Sequence, residues 1–208
     1  MRKYDPRLII GGLLIFGGLL SLLEVMGVIP NAGGIFWGVI WGAVALYFLH
    51  LLSVDKVRNW WAAFPGFALL GMAAAAFLPD SLTAFEGLAF LGGISLAFLW
   101  AFFTDVRRWW AIIPAGVLLT LGVTSTLDEL YSMDTGGVFF IGLGLTFALV
   151  AILPGGSQRT WAFFPAIALL IFGTFLAPSL ALTSYAVPIV LILLGAYFVF
   201  RFFKPKND

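Results

Sequence analysis

Apolar runs about as long as a bilayer is thick follow one another through this chain, and the charges lie between or at the ends of them. Eight are read, at about 8–28, 34–53, 60–78, 84–103, 109–127, 136–153, 161–177 and 183–203. At 1.5 Å per residue, a run of about 20 residues crosses a hydrocarbon layer of about 30 Å. The expected fold is therefore an all-α integral membrane protein with eight transmembrane helices. The composition agrees, with 62% hydrophobic and 10% charged residues against roughly half and a quarter in a soluble domain.

The runs are also copies of one another. RNWWAAFPGFALLG at 58–71, RRWWAIIPAGVLLTLG at 107–122 and QRTWAFFPAIALLIFG at 158–173 share one pattern. The glycines that close these copies, Gly71, Gly122 and Gly173, are 51 residues apart, and Gly42, Gly93, Gly144 and Gly195 keep the same interval. A fixed period of this length means that one supersecondary unit recurs. Each unit is two helices, which gives four tandem parallel-repeat hairpins at approximately 1–55, 56–105, 106–156 and 157–208. Gly34, Gly38 and Gly42 form a G-x-x-x-G-x-x-x-G ladder on one face of the second run. Missing side chains let another backbone approach there, so these nine glycines are read as helix-packing positions.

Charge sets the expected topology. The 11 basic residues are Arg2, Lys3, Arg7, Lys56, Arg58, Arg107, Arg108, Arg159, Arg201, Lys204 and Lys206. They fall at the two ends of the chain and in the links after the second, fourth and sixth runs. The alternate links carry Glu24, Asp80, Glu86, Asp128, Glu129 and Asp134, with no basic residue. The positive-inside rule then places both termini in the cytoplasm, and the protein is read as one of the bacterial cytoplasmic membrane. No A-x-A-like cleavage site follows the first run, and its LLIFG recurs at 169–173, so that run is read as retained.

Arg58, Trp60, Trp61, Arg108, Trp109, Trp110, Arg159 and Trp161 open the third, fifth and seventh runs. Arginine can snorkel to lipid phosphates and tryptophan favours the interface, so these are read as interfacial anchors or lipid contacts. Proline follows in the first helical turn, where its missing N–H leaves no bond unmade.

Chemistry has few carriers. No cysteine is present, which excludes disulfides and thiolate sites. The only histidine, His50, reads first as an interfacial residue, with axial ligation of a haem or chlorin as the sharper alternative. Asp128, Glu129 and Asp134 lie close in one link but lack the ordered spacing of a calcium loop. The second to eighth runs hold no charged residue near their centres, which argues against ion-coupled transport through buried carboxylates. Hydroxyls remain at Ser95, Thr120, Thr124, Ser125, Thr146 and Thr174. No metal or catalytic site is predicted, nor a nucleic-acid partner. No cofactor is predicted either, although glycine-flattened faces leave slots for an apolar pigment, a quinone or a lipid.

RLIIGGLLIFGGLLSLLEVMGVIP followed by GGIFWGVIWGAVALYFL, at 7–30 and 33–49, resembles the LiaI/LiaF-like transmembrane region of bacterial envelope-stress proteins. AFFPAIALLIFGTFLAP and VPIVLILLGAYFVFRFF, at 162–178 and 187–203, look like the same pattern. The resemblance implies glycine-rich helical hairpins that anchor or regulate neighbouring proteins without catalysis. The expected function is a non-enzymatic membrane scaffold or accessory subunit. Its partners are then lipids and either another membrane protein or further copies of itself. A channel or transporter for a neutral or apolar solute is the alternative.

Overall fold

The computed structural model describes residues 6–29, 31–132, 134–153 and 156–177. Among these residues there is no strand, and seven α-helices follow in order. They are α1 (Pro6–Val25), α2 (Ala32–Val54), α3 (Ala63–Ala76), α4 (Glu86–Thr104), α5 (Ile112–Tyr131), α6 (Gly136–Ile152) and α7 (Phe163–Leu176). With their leading 3-10 turns, four segments are long and apolar enough to cross a membrane: Ala32–Val54, Asp80–Thr104, Val106–Tyr131 and Arg159–Leu176. Ile10–Val25, Trp60–Ala76 and Gly136–Ile152 are apolar but shorter. The expected eighth run, Gly195 and the basic tail lie outside the described residues.

The chain divides into two compact units, Met1–Leu130 and Tyr131–Asp208. In the first, neighbouring helices pack antiparallel through glycine. A Cβ on Gly93 of α4 would lie 2.6 Å from the Phe67 carbonyl oxygen and 2.9 Å from the Gly71 Cα of α3. A Cβ on Gly71 would lie 2.6 Å from the Ala89 oxygen. Real side chains do not sit at such distances, so α3 and α4 approach this closely only because both residues lack one. On the other side of α4, Gly122 of α5 faces Leu88, and Gly87 faces Ser125. Between α2 and α3, Gly34 faces the Ala76 carbonyl, Gly38 the Phe77 ring and Gly42 the Ala73 Cβ. Asn31 starts α2 in the left-handed conformation, φ 58°, which asparagine tolerates. Its side-chain oxygen accepts from the Gly34 N–H at 3.0 Å, capping the helix.

The second unit repeats the device between α6 and α7. A Cβ on Gly137 would meet the Ala177 nitrogen at 2.6 Å, one on Gly144 the Leu170 Cγ at 2.7 Å, and one on Gly173 the Ile141 nitrogen at 2.6 Å.

Gly71, Gly122 and Gly173 share an interval but not an interface: Gly71 packs on the helix that follows it, the other two on the helix that precedes them. One expectation changes. Asp128 and Glu129, expected in a link, sit in the last turns of α5. Acidic side chains oppose the helix dipole there, and the apolar length of α5 carries the helix past them.

α1 is attached more sparsely. Gly17 faces the Phe36 ring at 3.1 Å, while Gly11, Gly12 and Gly18 have no atom within 4 Å of a built Cβ.

Candidate functional site

The links before α3, α5 and α7 fold alike, and their shared sequence explains why. Each is a 3-10 turn, at Trp60–Ala62, Val106–Ala111 and Gly156–Ala162. Asp55 and Asp105 precede the first two with matching extended backbones, φ −148° in both. The Asp55 carboxylate accepts from the Val57 and Arg58 N–H groups at 3.1 and 2.9 Å, and that of Asp105 accepts from the Arg107 N–H at 3.0 Å. These donors have no helical partner, so an aspartate that accepts them fixes the turn.

The turn then places its tryptophan and alanine. Trp61, Trp110 and Trp161 each stand edge-on to a phenylalanine of the preceding helix, Phe48, Phe98 and Phe147. Their ring centroids are 6.1, 6.3 and 6.1 Å apart. The three tryptophans are 48%, 45% and 44% exposed, which leaves one edge of each facing outward. Ala62, Ala111 and Ala162 are each fully buried. Pro65, Pro114 and Pro165 then occupy the third position of α3, α5 and α7, where no intrahelical donor is needed.

In the first unit the two basic links meet. The Arg108 guanidinium carbon lies 4.2 Å from the Trp60 ring centroid. The contact is worth about 0.5–2 kcal/mol, depending on how dry it is. Arg108 Nη1 is buried and has no hydrogen-bond partner. Trp60 continues into Phe64 and Phe98, with centroids 5.9 and 4.9 Å apart, and Phe98 reaches Trp110. A basic-aromatic cluster thus closes one end of the unit. Lys56 adds a second cation there, with Nζ 5.9 Å from the Trp100 ring. Arg107 is 95% exposed and pairs with Asp105 at 3.5 Å, a surface contact of small energy.

Of the expected anchors, Trp60 and Arg108 come together, Trp110 joins them through Phe98 and Phe64, and Trp61 packs on Phe48. Arg58 lies exposed in its link. Trp109 is half-buried, and Arg159 and Trp161 belong to the second unit. Sequence reasoning missed Asp55, Asp105 and the phenylalanine partners, although an Asp three residues before Arg58 and two before Arg107 was visible.

Of the hydroxyls, Ser95, Thr124, Thr126 and Thr146 are buried, and Ser125 and Thr174 are exposed. Thr124, Thr126, Thr146 and Thr174 donate to carbonyls one turn back in their own helices at 2.7–3.0 Å. Ser95 donates across helices to the Ala115 carbonyl at 2.8 Å, fully buried between α4 and α5. Bonds of this kind average about 0.6 kcal/mol in membrane proteins. Ser95→Ala should therefore lower stability in detergent by that amount and leave the fold intact, as read by thermal unfolding.

His50 is exposed on α2, and its carbonyl accepts from the Ser53 hydroxyl. Among the described residues no three His, Cys, Asp or Glu side chains gather as metal ligands would.

No protein family, curated protein or solved structure matches this chain.

One concavity accompanies the cluster. A groove of about 490 Å³ lies over α4, walled by α3 and α5, and nearly all of its lining is apolar. Its floor includes Gly92, where a built Cβ would have no atom within 4 Å.

Proposed function

We propose that this protein is a non-enzymatic scaffold or accessory subunit of the bacterial cytoplasmic membrane that binds other membrane proteins or lipids. It has eight transmembrane helices in four tandem hairpins, with both termini in the cytoplasm. The observation that carries the reading is the closure of its helix contacts. Helices meet through glycine at backbone distance, and the hydroxyls near those contacts are spent on carbonyls. A solute path needs the reverse, polar groups turned into a hydrated space.

Three further features support it. The shared geometry of the three links favours repeated hairpins. The meeting of Arg108 with Trp60 gathers two basic links at one end, as the positive-inside rule requires of a cytoplasmic face. The resemblance to LiaI/LiaF-like hairpins favours a regulatory or anchoring role, and the open glycines of α1 leave a face to which a partner helix can pack.

Topology is directly testable because the chain has no native cysteine. Arg58→Cys and Arg107→Cys should react with an impermeant maleimide only after the cytoplasmic face is opened. Ser81→Cys and Asp134→Cys should react in intact cells. Labelling of both pairs from one side would overturn the alternating arrangement. For function, purification from native membranes in mild detergent should yield a stoichiometric membrane-protein partner or retained lipid. A single-component particle that passes neutral solutes in liposomes would replace the scaffold with a channel.

A further inference from the structure

We infer that the groove over α4 is a binding site for one acyl chain of an anionic phospholipid. The inference rests on the membrane reading above and deepens it. Three properties of the groove argue for this occupant. First, its wall is almost wholly hydrocarbon, from Phe67 and Leu70 of α3, Leu96 and Leu99 of α4 and Leu119 of α5. It offers no polar group to select a pigment ring or a sugar beyond the Ser95 hydroxyl, which is already donated to Ala115. Second, its length fits. From Leu88 to Leu99 the floor extends about 16 Å along α4, shorter than the roughly 30 Å hydrocarbon thickness, so one acyl chain can cover it.

Third, its end is charged. Phe67 lines the groove and lies 6.2 Å from the Trp100 ring, over which Lys56 Nζ stands at 5.9 Å. Lys56 is exposed and has no carboxylate partner among the described residues. A chain lying in the groove with its headgroup at the basic links therefore meets a free ammonium at phosphate level, which favours an anionic lipid.

The two adjacent glycines make the groove. Gly93 turns into α3 and lets the two helices close, and Gly92, one residue and about 100° away on the helix, leaves the floor empty.

That difference supplies the test. The protein is reconstituted in phosphatidylcholine liposomes containing phosphatidylglycerol with a diazirine at mid-chain, irradiated, and the labelled residues are mapped by mass spectrometry. Labelling at Leu70, Leu96 and Leu119 should exceed that at Leu14 and Ile15 of α1, which are 72% and 67% exposed. Gly92→Phe should fill the groove and abolish the excess while α1 stays labelled and thermal unfolding is unchanged. Lys56→Gln should reduce the excess for phosphatidylglycerol and not for diazirine-bearing phosphatidylcholine. Groove labelling no higher than that of α1, or unaffected by Gly92→Phe, overturns the site. Labelled α1 beside an unlabelled Leu96 means that protein covers the groove, which also overturns it. Failure to label α1 as well sinks the membrane reading itself, and so separates the two failures.

Discussion

Gly93→Leu is expected to destabilise the first unit by about 3 kcal/mol or more, while Gly92→Leu next to it costs nothing and gains up to about 1 kcal/mol. The residues are chemically identical and adjacent, so composition and propensity predict equal effects; a helix-interior Gly costs about 1 kcal/mol relative to Ala, and either replacement gains that. Contact geometry separates them. At position 93 even the first carbon of a side chain would lie 2.6 Å from the Phe67 oxygen and 2.9 Å from the Gly71 Cα. Both are backbone atoms that cannot rotate away. Relief requires α3 and α4 to move apart along their length, at the upper end of the 1–3 kcal/mol of ordinary overpacking or beyond it. In a membrane no hydrophobic force pulls them back, because lipid solvates the opened faces as well as protein does. At position 92 a built Cβ has no atom within 4 Å, so the leucine starts into the open groove. Thermal unfolding of both variants in one detergent decides the matter. Equal melting temperatures would mean that the α3–α4 contact contributes little.

The links were the most legible part of the chain, and the reason is local. A tryptophan that needs an interface and a proline that needs a free N-terminal position each constrain a few neighbouring residues, whereas the capping role of Asp55 and Asp105 was missed. The tryptophan and proline pattern therefore survives as R-x-W-W-A-x-x-P at 58–65 and 107–114 and as R-x-W-A-x-x-P at 159–165. Glycine packing was half legible. Counting intervals of 51 aligned Gly71 with Gly122 and Gly173, but the prolines give another alignment. Gly122 and Gly173 lie eight residues after Pro114 and Pro165, and eight residues after Pro65 stands Ala73. Ala73 is 3% exposed and faces Gly42 on the preceding helix. It holds in α3 the place that glycine holds in α5 and α7. A shift of two positions turns a residue about 200° around the helix. That rotation carries Gly71 to the opposite side and gives it α4 as a neighbour. The groove was legible only as an idea about flattened faces. Which of two consecutive glycines stays open depends on the rotation of α4 against both neighbours, and no local string encodes it.

In the second unit Gly144→Leu should disrupt folding far more than Leu143→Ala, although the second change removes more of a native side chain. Leu143 is half-buried on α6. Its truncation leaves a shallow gap that lipid or a neighbouring chain can fill, so the cost should stay below the roughly 2–5 kcal/mol of a sealed core cavity. Gly144 lies against Leu170 of α7, whose side-chain Cγ is 2.7 Å and whose backbone nitrogen is 2.9 Å from a built Cβ. The leucine side chain can turn aside, but the nitrogen cannot, so α6 and α7 must separate there. Separation would not remain local. Gly137 against Ala177, and Gly173 against Ile141, belong to the same seam at 2.6 Å, and a wedge at 144 opens both. The cost should therefore reach about 3 kcal/mol or more, visible as loss of the monodisperse peak after graded heating in detergent. Edge-on Phe140 and Phe172, 4.7 Å apart, hold part of that seam by side chains alone. Comparable losses for the two variants would mean that such aromatic pairs, and not glycine contact, join these helices.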